Sequence, residues 1–447
     1  MKYILKLLIP VMVLAGNVAV AQTTSSALAA SVPVKTSFVS LGPLANGVLI
    51  EPVTSISKNG IALLITHPER INNFNYFVAV ELPKYGYRTL TLNYYGKEDS
   101  YYEFLQPIAA AIKALRALPG VQKVVLAGHS SGTAELTSYQ DVAENGPAAC
   151  QGAERIYKCT GKEWTDLPKA DGVMLVEANT GAIEKTISLN AALDDHRPRQ
   201  IDPSLDIYNP RNGYDAAKRS ATYSAEFLDK YFKAQSAKAN RVIDAALVRL
   251  QKIEQGEGEF ADDEPFLVAG AGINAGGARI ELLDSRLMSR TRAPHPLLKP
   301  DGSVKIQQLS RLQVSPGPTY RNTLADTSMN TTVRRYLSFR GLRVAPDYRV
   351  TEDNVLGVQW RSTANSMQGN LEGIRVPTLI LAGTCASALV LQEIGYDHSV
   401  AKDKEFVAVE GGDHFFRPCK PEFGDTYKRA FDYMDVWLSK PGRFLVP

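Results

Sequence analysis

Gly128-His129-Ser130-Ser131-Gly132 sets a serine between glycines two residues to either side, a pattern suited to nucleophilic catalysis. A serine hydroxyl attacks well only when a base removes its proton and a sharp strand-to-helix turn lifts it clear of a sheet. Such a turn also places Ser130 at a helix N-terminus, where the backbone dipole favours developing negative charge. The base should be one of six histidines: His67, His129, His196, His295, His398 and His414. His414 follows the apolar run Glu405–Glu410 after Gly411-Gly412-Asp413 and precedes an amphipathic stretch, which sets it above the C-terminal edge of a parallel sheet. His398 is the second candidate. His129 lies inside the turn, His67 shapes a loop, and His196 and His295 face either substrate or solvent.

Two regions of alternating strands and helices must hold these side chains. In the first, Ile61–Ile65, Arg88–Leu92, Val121–Ala127 and Val173–Val176 read as strands. A helix over 102–118 carries Phe104, Leu105, Ile108, Ile112 and Leu115 on one face and stops at Pro119-Gly120. The second supplies strands at Val376–Ala382 and Glu405–Glu410, then a last helix with Tyr427, Phe431, Met434 and Trp437. Strands apolar on both faces that alternate with helices imply an α/β fold with a mostly parallel central sheet covered on both sides. The middle, 179–372, breaks the pattern with Pro/Asp-rich loops, a long helix over 215–253 and a Gly-rich stretch over 269–277. It reads as a mainly helical cap inserted between two core parts, 22–178 and 373–447.

The elbow Gly128–Gly132 and the late Gly411-Gly412-Asp413-His414 segment resemble the α/β-hydrolase superfamily over 61–177 and 376–438. The resemblance implies Ser130 as nucleophile, His414 as base and a backbone oxyanion hole. One donor would be the N–H of Ser131. The other would come from the loop His67-Pro68-Glu69-Arg70, with Glu69 in position and Pro68 where relatives carry glycine. The family most often sets its acid after the strand equivalent to Val376–Ala382, but that loop, Gly383-Thr-Cys-Ala-Ser387, has no carboxylate. Glu177, ending the preceding apolar strand, is the expected acid, as in some members of the superfamily. Asp397 and Glu393 are the alternatives, and a loop-capping role for Glu177 is the other reading. Asp413 is too near His414 in sequence to orient it. Topology in the family also implies a structural Cys385–Cys419 disulfide, tying the histidine loop to the loop without an acid.

Composition narrows the function classes. Hydrophobic residues at 45% and charged ones at 22% describe a globular chain rather than a disordered one. Met1–Lys6 is basic, Leu7–Gly16 apolar, and Ala19-Val20-Ala21 small, which predicts a signal peptide cleaved after Ala21 and a secreted or periplasmic protein. Loss of Lys2 and Lys6 leaves 48 basic against 47 acidic residues, so nothing steers the chain to nucleic acid or an anionic membrane. An even count of four cysteines in an exported chain reads as two disulfides, with Cys150 and Cys159 closing a small loop. Their spacing suits no zinc site, and neither metal nor cofactor is expected. The partner is a small ester or lactone. An amidase or peptidase with the same triad, and a non-catalytic binder on a hydrolase fold, are the competing readings. Ser130 rather than aspartate at the nucleophile position disfavours a haloalkane dehalogenase. Tyr208, Tyr214, Tyr223, Phe227, Tyr231 and Phe232 either line a substrate pocket or form the cap's core.

Overall fold

The computed structural model describes residues 32–447 apart from 55–56, 68–71, 96–99, 161–163, 198, 273–278, 313–326 and 446–447. The expected signal peptide, residues 1–21, and the expected donor Glu69 both lie outside the described residues.

In chain order the first strands are β1 (Val34–Ser40), β2 (Ala45–Pro52), β3 (Ile61–Thr66), β4 (Arg88–Tyr94), β5 (Lys123–Ser130) and β6 (Gly172–Ala178). The middle region holds β7 (Tyr214–Asp215), β8 (Ser220–Ala221), β9 (Pro265–Ala269), β10 (Arg290–Leu298), β11 (Val304–Ser310), β12 (Ser328–Thr332), β13 (Val344–Val350) and β14 (Val355–Val358). The last are β15 (Thr378–Gly383) and β16 (Lys404–Val409).

Ten of them form one sheet in the order β1-β2-β4-β3-β5-β6-β15-β16-β10-β11. Pairings from β4 through β3, β5, β6, β15 and β16 to β10 are parallel; β1–β2, β2–β4 and β10–β11 are antiparallel. The chain is thus α/β with a mostly parallel sheet, as read from its apolar runs. Alternate residues of each inner strand enter different cores. Ala62, Leu64, Val124 and Leu126 pack with the helix Leu105–Ala117. Ile61, Leu63, Val125, Ala127, Met174 and Val176 pack on the other face with the last helix, Thr426–Leu438. Full burial of one such aliphatic side chain contributes about 1.5–3 kcal/mol, so both helical layers are fixed by the strands' uninterrupted apolar pattern. The helix Leu105–Ala117 ends because Leu118, before Pro119, turns extended (ψ 135°).

The middle region differs in two ways from the sequence reading. Its long helix runs Ala225–Glu254 and starts at Ser224, whose side chain accepts from the Phe227 N–H; residues 214–221 instead make the β7–β8 hairpin. Its β10 and β11 extend the central sheet, with β10 pairing β16 only at Leu297 and Leu298. His295 therefore sits on a sheet strand, not in a cap. Tyr223, Phe227, Tyr231 and Phe232 are buried in the middle region's own core, and Tyr208 and Tyr214 pack against it. Both expected disulfides, Cys150–Cys159 and Cys385–Cys419, are formed.

Candidate active site

Ser130 ends β5 with φ 54°, a left-handed conformation that a non-glycine residue adopts only when its surroundings hold it there. The flanking glycines explain how. A Cβ at Gly128 would lie 2.8 Å from Thr133 Cα, and one at Gly132 would lie 2.2 Å from the Thr66 carbonyl oxygen. The Ser130 carbonyl is fixed by the Asn179 N–H at 3.1 Å and the Thr133 hydroxyl at 2.6 Å. Ser131 is the N-cap of the helix Gly132–Asn145, so its N–H belongs to the helix end whose first donors lack intrahelical partners. Behind the turn, His67 Nε2 lies 3.2 Å from the Ser131 hydroxyl, consistent with a loop-shaping histidine.

His414 reaches Ser130 from the loop after β16. Its Nε2 is 3.0 Å from Ser130 Oγ, and its Nδ1 is 3.1 Å from Glu177 Oε2. An ionised Glu177 accepts, which puts the proton on Nδ1 and leaves Nε2 free to accept the serine proton. Glu177 ends β6, is fully buried, and also has positive φ (43°). Its Oε1 accepts from the Gly383 N–H at 2.8 Å and from Gln392 Nε2 at 3.0 Å. Gln392 is oriented in turn, because its oxygen accepts from the Ala178 N–H at 3.2 Å. Every oxygen of the buried carboxylate is thereby occupied, which offsets the cost of burying its charge. Burial alone would lower the His414 pKa, but the hydrogen bond and charge of Glu177 outweigh it, with Glu184 and Asp413 adding to the rise.

The loop itself is tied down. Asp413 Oδ1 accepts from the Phe415 and Arg417 N–H groups at 2.8 and 2.9 Å, so Asp413 shapes the loop and does not orient the ring. The Cys385 N–H donates to the Gly412 carbonyl at 2.9 Å, and the Cys385–Cys419 disulfide crosses the same gap. His129 supplies a tether unforeseen from sequence. Its Nε2 lies 2.7 Å from the His414 carbonyl oxygen, so it donates, and its Nδ1, 2.5 Å from the Tyr76 hydroxyl, accepts. Burial, then the nearby charge of His414, holds its pKa down to about 3, so the ring stays neutral and keeps this tautomer.

The alternative candidates lie elsewhere. Glu393 binds His295 Nε2 at 2.7 Å and the Arg292 and Ala293 N–H groups, while Asp397 pairs with Arg292. His398 binds Glu372 at 2.8 Å and so has a carboxylate but no serine. His196 is exposed and hydrogen-bonds through its backbone to Asp194. Beside His414 opens a cleft of about 490 Å³ walled by Glu177, Asn179, Arg311, Ala386 and Phe415 among others. None of the six middle-region aromatics lines it. Among the described residues no cluster of three or more His, Cys, Asp or Glu could hold a metal ion, and no helix is long and apolar enough to cross a membrane.

No family model matches the chain, and no curated protein matches it. Among solved structures it is similar to Est1E from Butyrivibrio proteoclasticus, at 12% identity and TM-score 0.38, over 91% of this chain and 99% of that one. It is similar to a hypothetical protein, PA2218 of Pseudomonas aeruginosa, at 12% identity and TM-score 0.41, over 93% and 98% of the two chains. Esterase B from Lactobacillus Rhamnosis aligns at 11% identity and TM-score 0.38, over 91% and 86%. At these values the assignment rests on the chain's own topology. A strand order of 1-2-4-3-5-6 continued by two further parallel strands, with β2 antiparallel and a glycine-flanked serine turn after β5, is the α/β-hydrolase arrangement, and this chain has the α/β-hydrolase fold.

Proposed function

We propose that the protein is an exported serine hydrolase that cleaves carboxylic esters, lactones included, through an acyl-enzyme. The observation that carries the reading is the unbroken chain Ser130 Oγ–His414 Nε2, His414 Nδ1–Glu177 Oε2, at 3.0 and 3.1 Å. Ser130 attacks the ester carbonyl as His414 takes its proton, and the imidazolium is stabilised by Glu177. His414 then returns the proton to the leaving alkoxide. Water, deprotonated by His414 in the second half, releases the acid and restores Ser130. The Ser131 N–H, and a donor from the loop after β3 where Glu69 lies, receive the oxyanion. Residues 179–372, apart from β10 and β11 in the central sheet, contribute the cap, and the two disulfides accord with export after cleavage at Ala21.

Matched p-nitrophenyl esters and aminoacyl p-nitroanilides test the substrate class. Ester hydrolysis that disappears in Ser130→Ala supports the reading. Anilide turnover exceeding ester turnover would make the protein an amidase, and no turnover of either would leave it a binder.

A further inference from the structure

The cleft beside His414 contains an arginine that forms no ion pair with a carboxylate among the described residues. Arg311, partly buried just beyond β11, lines it. Its Nη2 donates to the Glu281 and Leu287 carbonyl oxygens at 2.8 and 3.2 Å, which anchors the guanidinium by one nitrogen. Among the described residues it makes no ion pair with a carboxylate. Those nearby have partners of their own: Glu281 pairs with Arg279 through Oε1, Asp413 pairs with Arg417, and Glu184 accepts from Asn179 Nδ2 and the Thr180 N–H. Burial pulls the Arg311 pKa down; Glu281 opposes that and Arg279 adds to it. An arginine held beside a cleft with donors to spare, and not paired with a carboxylate among the described residues, is matched by a planar carboxylate, which it can bind through two parallel hydrogen bonds.

We propose that this cleft takes esters whose leaving alcohol carries a carboxylate, with Arg311 as the specificity-determining residue. The inference rests on the hydrolase reading above. The leaving-group side is assigned because His414, which must protonate the departing oxygen, forms a wall of this cleft, so the alcohol leaves past it. Leu282, Leu312, Ala386 and Ala388 contribute apolar wall to the same cleft, which suits a short hydrocarbon or aromatic spacer between ester and carboxylate.

The test compares 4-carboxyphenyl butyrate with phenyl butyrate, each kcat/KM divided by that ester's rate with hydroxide. Phenyl hydrogen glutarate, with its carboxylate on the acyl side, is the third arm. Wild-type protein should favour the carboxyphenyl ester by about tenfold or more, the scale of a hydrogen bond to a charged group. Added salt should shrink that ratio. Arg311→Gln should bring it near one, and Arg311→Lys should keep part of it. A wild-type ratio near one, with phenyl butyrate hydrolysed, overturns the proposal and leaves the hydrolase reading standing. A preference for the glutarate ester overturns the leaving-side assignment. If no ester is turned over, calorimetry of 4-hydroxybenzoate with the wild-type protein and with Arg311→Gln decides. Binding lost in the variant supports the subsite, and no binding to wild type removes it.

Discussion

Glu177→Gln isolates the contribution of one charge, because the amide keeps the shape of the carboxylate. Two of the three groups around Glu177 are committed donors, the Gly383 N–H and Gln392 Nε2, both directed at Oε1. In the variant the amide oxygen must stay there to satisfy them, which turns the amide nitrogen toward His414 Nδ1. Two donors cannot face each other, so Nδ1 must become an acceptor and the ring proton moves to Nε2. The ring then presents N–H to Ser130 and cannot take its proton. Loss of the tautomer and of the charge facing the imidazolium costs on the order of 10⁴ in kcat in a triad of this kind. That corresponds to about 5 kcal/mol of transition-state stabilisation. The assay is kcat on a p-nitrophenyl ester, with thermal unfolding as a control for the buried substitution. A variant that folds normally and keeps kcat within about tenfold of wild type would refute this account of Glu177.

The His414 pKa is raised above its ordinary 6.5, chiefly by Glu177, and the base works only when neutral. Thus kcat/KM should rise with pH through a single ionisation above 6.5, and the residual activity of Glu177→Gln should titrate lower. His129→Ala removes the donor that holds the His414 carbonyl and should lower kcat on the order of 10²-fold with a smaller change in KM. His129→Gln, which retains an N–H, should recover part of that loss; equal kcat in all three proteins would dismiss the tether. Glu135, fully buried under the elbow and bonded to the Tyr94 hydroxyl at 2.6 Å, has its pKa raised by burial from 4.5 to about 7. The folded state holds this proton more tightly, so the stabilisation is complete below about pH 4.5, lost as pH rises to 7, and absent above. Relative to Glu135→Gln, wild type should lose roughly 3 kcal/mol across that window, measured by urea unfolding at each pH; parallel pH profiles would contradict it.

Much of the site was legible where one residue broke a local pattern. Gly128 and Gly132 mark a turn because both are needed for close backbone approach, and the strand before them is apolar on both faces. Glu177 stood out as a carboxylate closing an otherwise apolar run, and its burial and bonding explain why that position admits a charge. In Gly383–Ser387, a loop without a carboxylate, Cys385 forms the disulfide expected of it and the Gly383 N–H donates to Glu177. Illegible parts depend on contacts distant in sequence. Gln392 meets Glu177 from 215 residues away, and Tyr76 meets His129 from another loop. The strand β10 was hidden by Pro294 and Pro296, which cannot donate ladder hydrogen bonds, and it pairs with β16 only beyond them. The first strand, β1, is nearly all exposed, so no alternating apolar pattern announced it.

Covalent labelling reads out the nucleophile itself. The protein is incubated with a fluorophosphonate near pH 8, digested, and the modified peptide sequenced by mass spectrometry. A single adduct is expected on Ser130, absent in Ser130→Ala and formed orders of magnitude more slowly in His414→Ala. An unmodified Ser130 in folded wild-type protein, or an adduct on another serine, would contradict it.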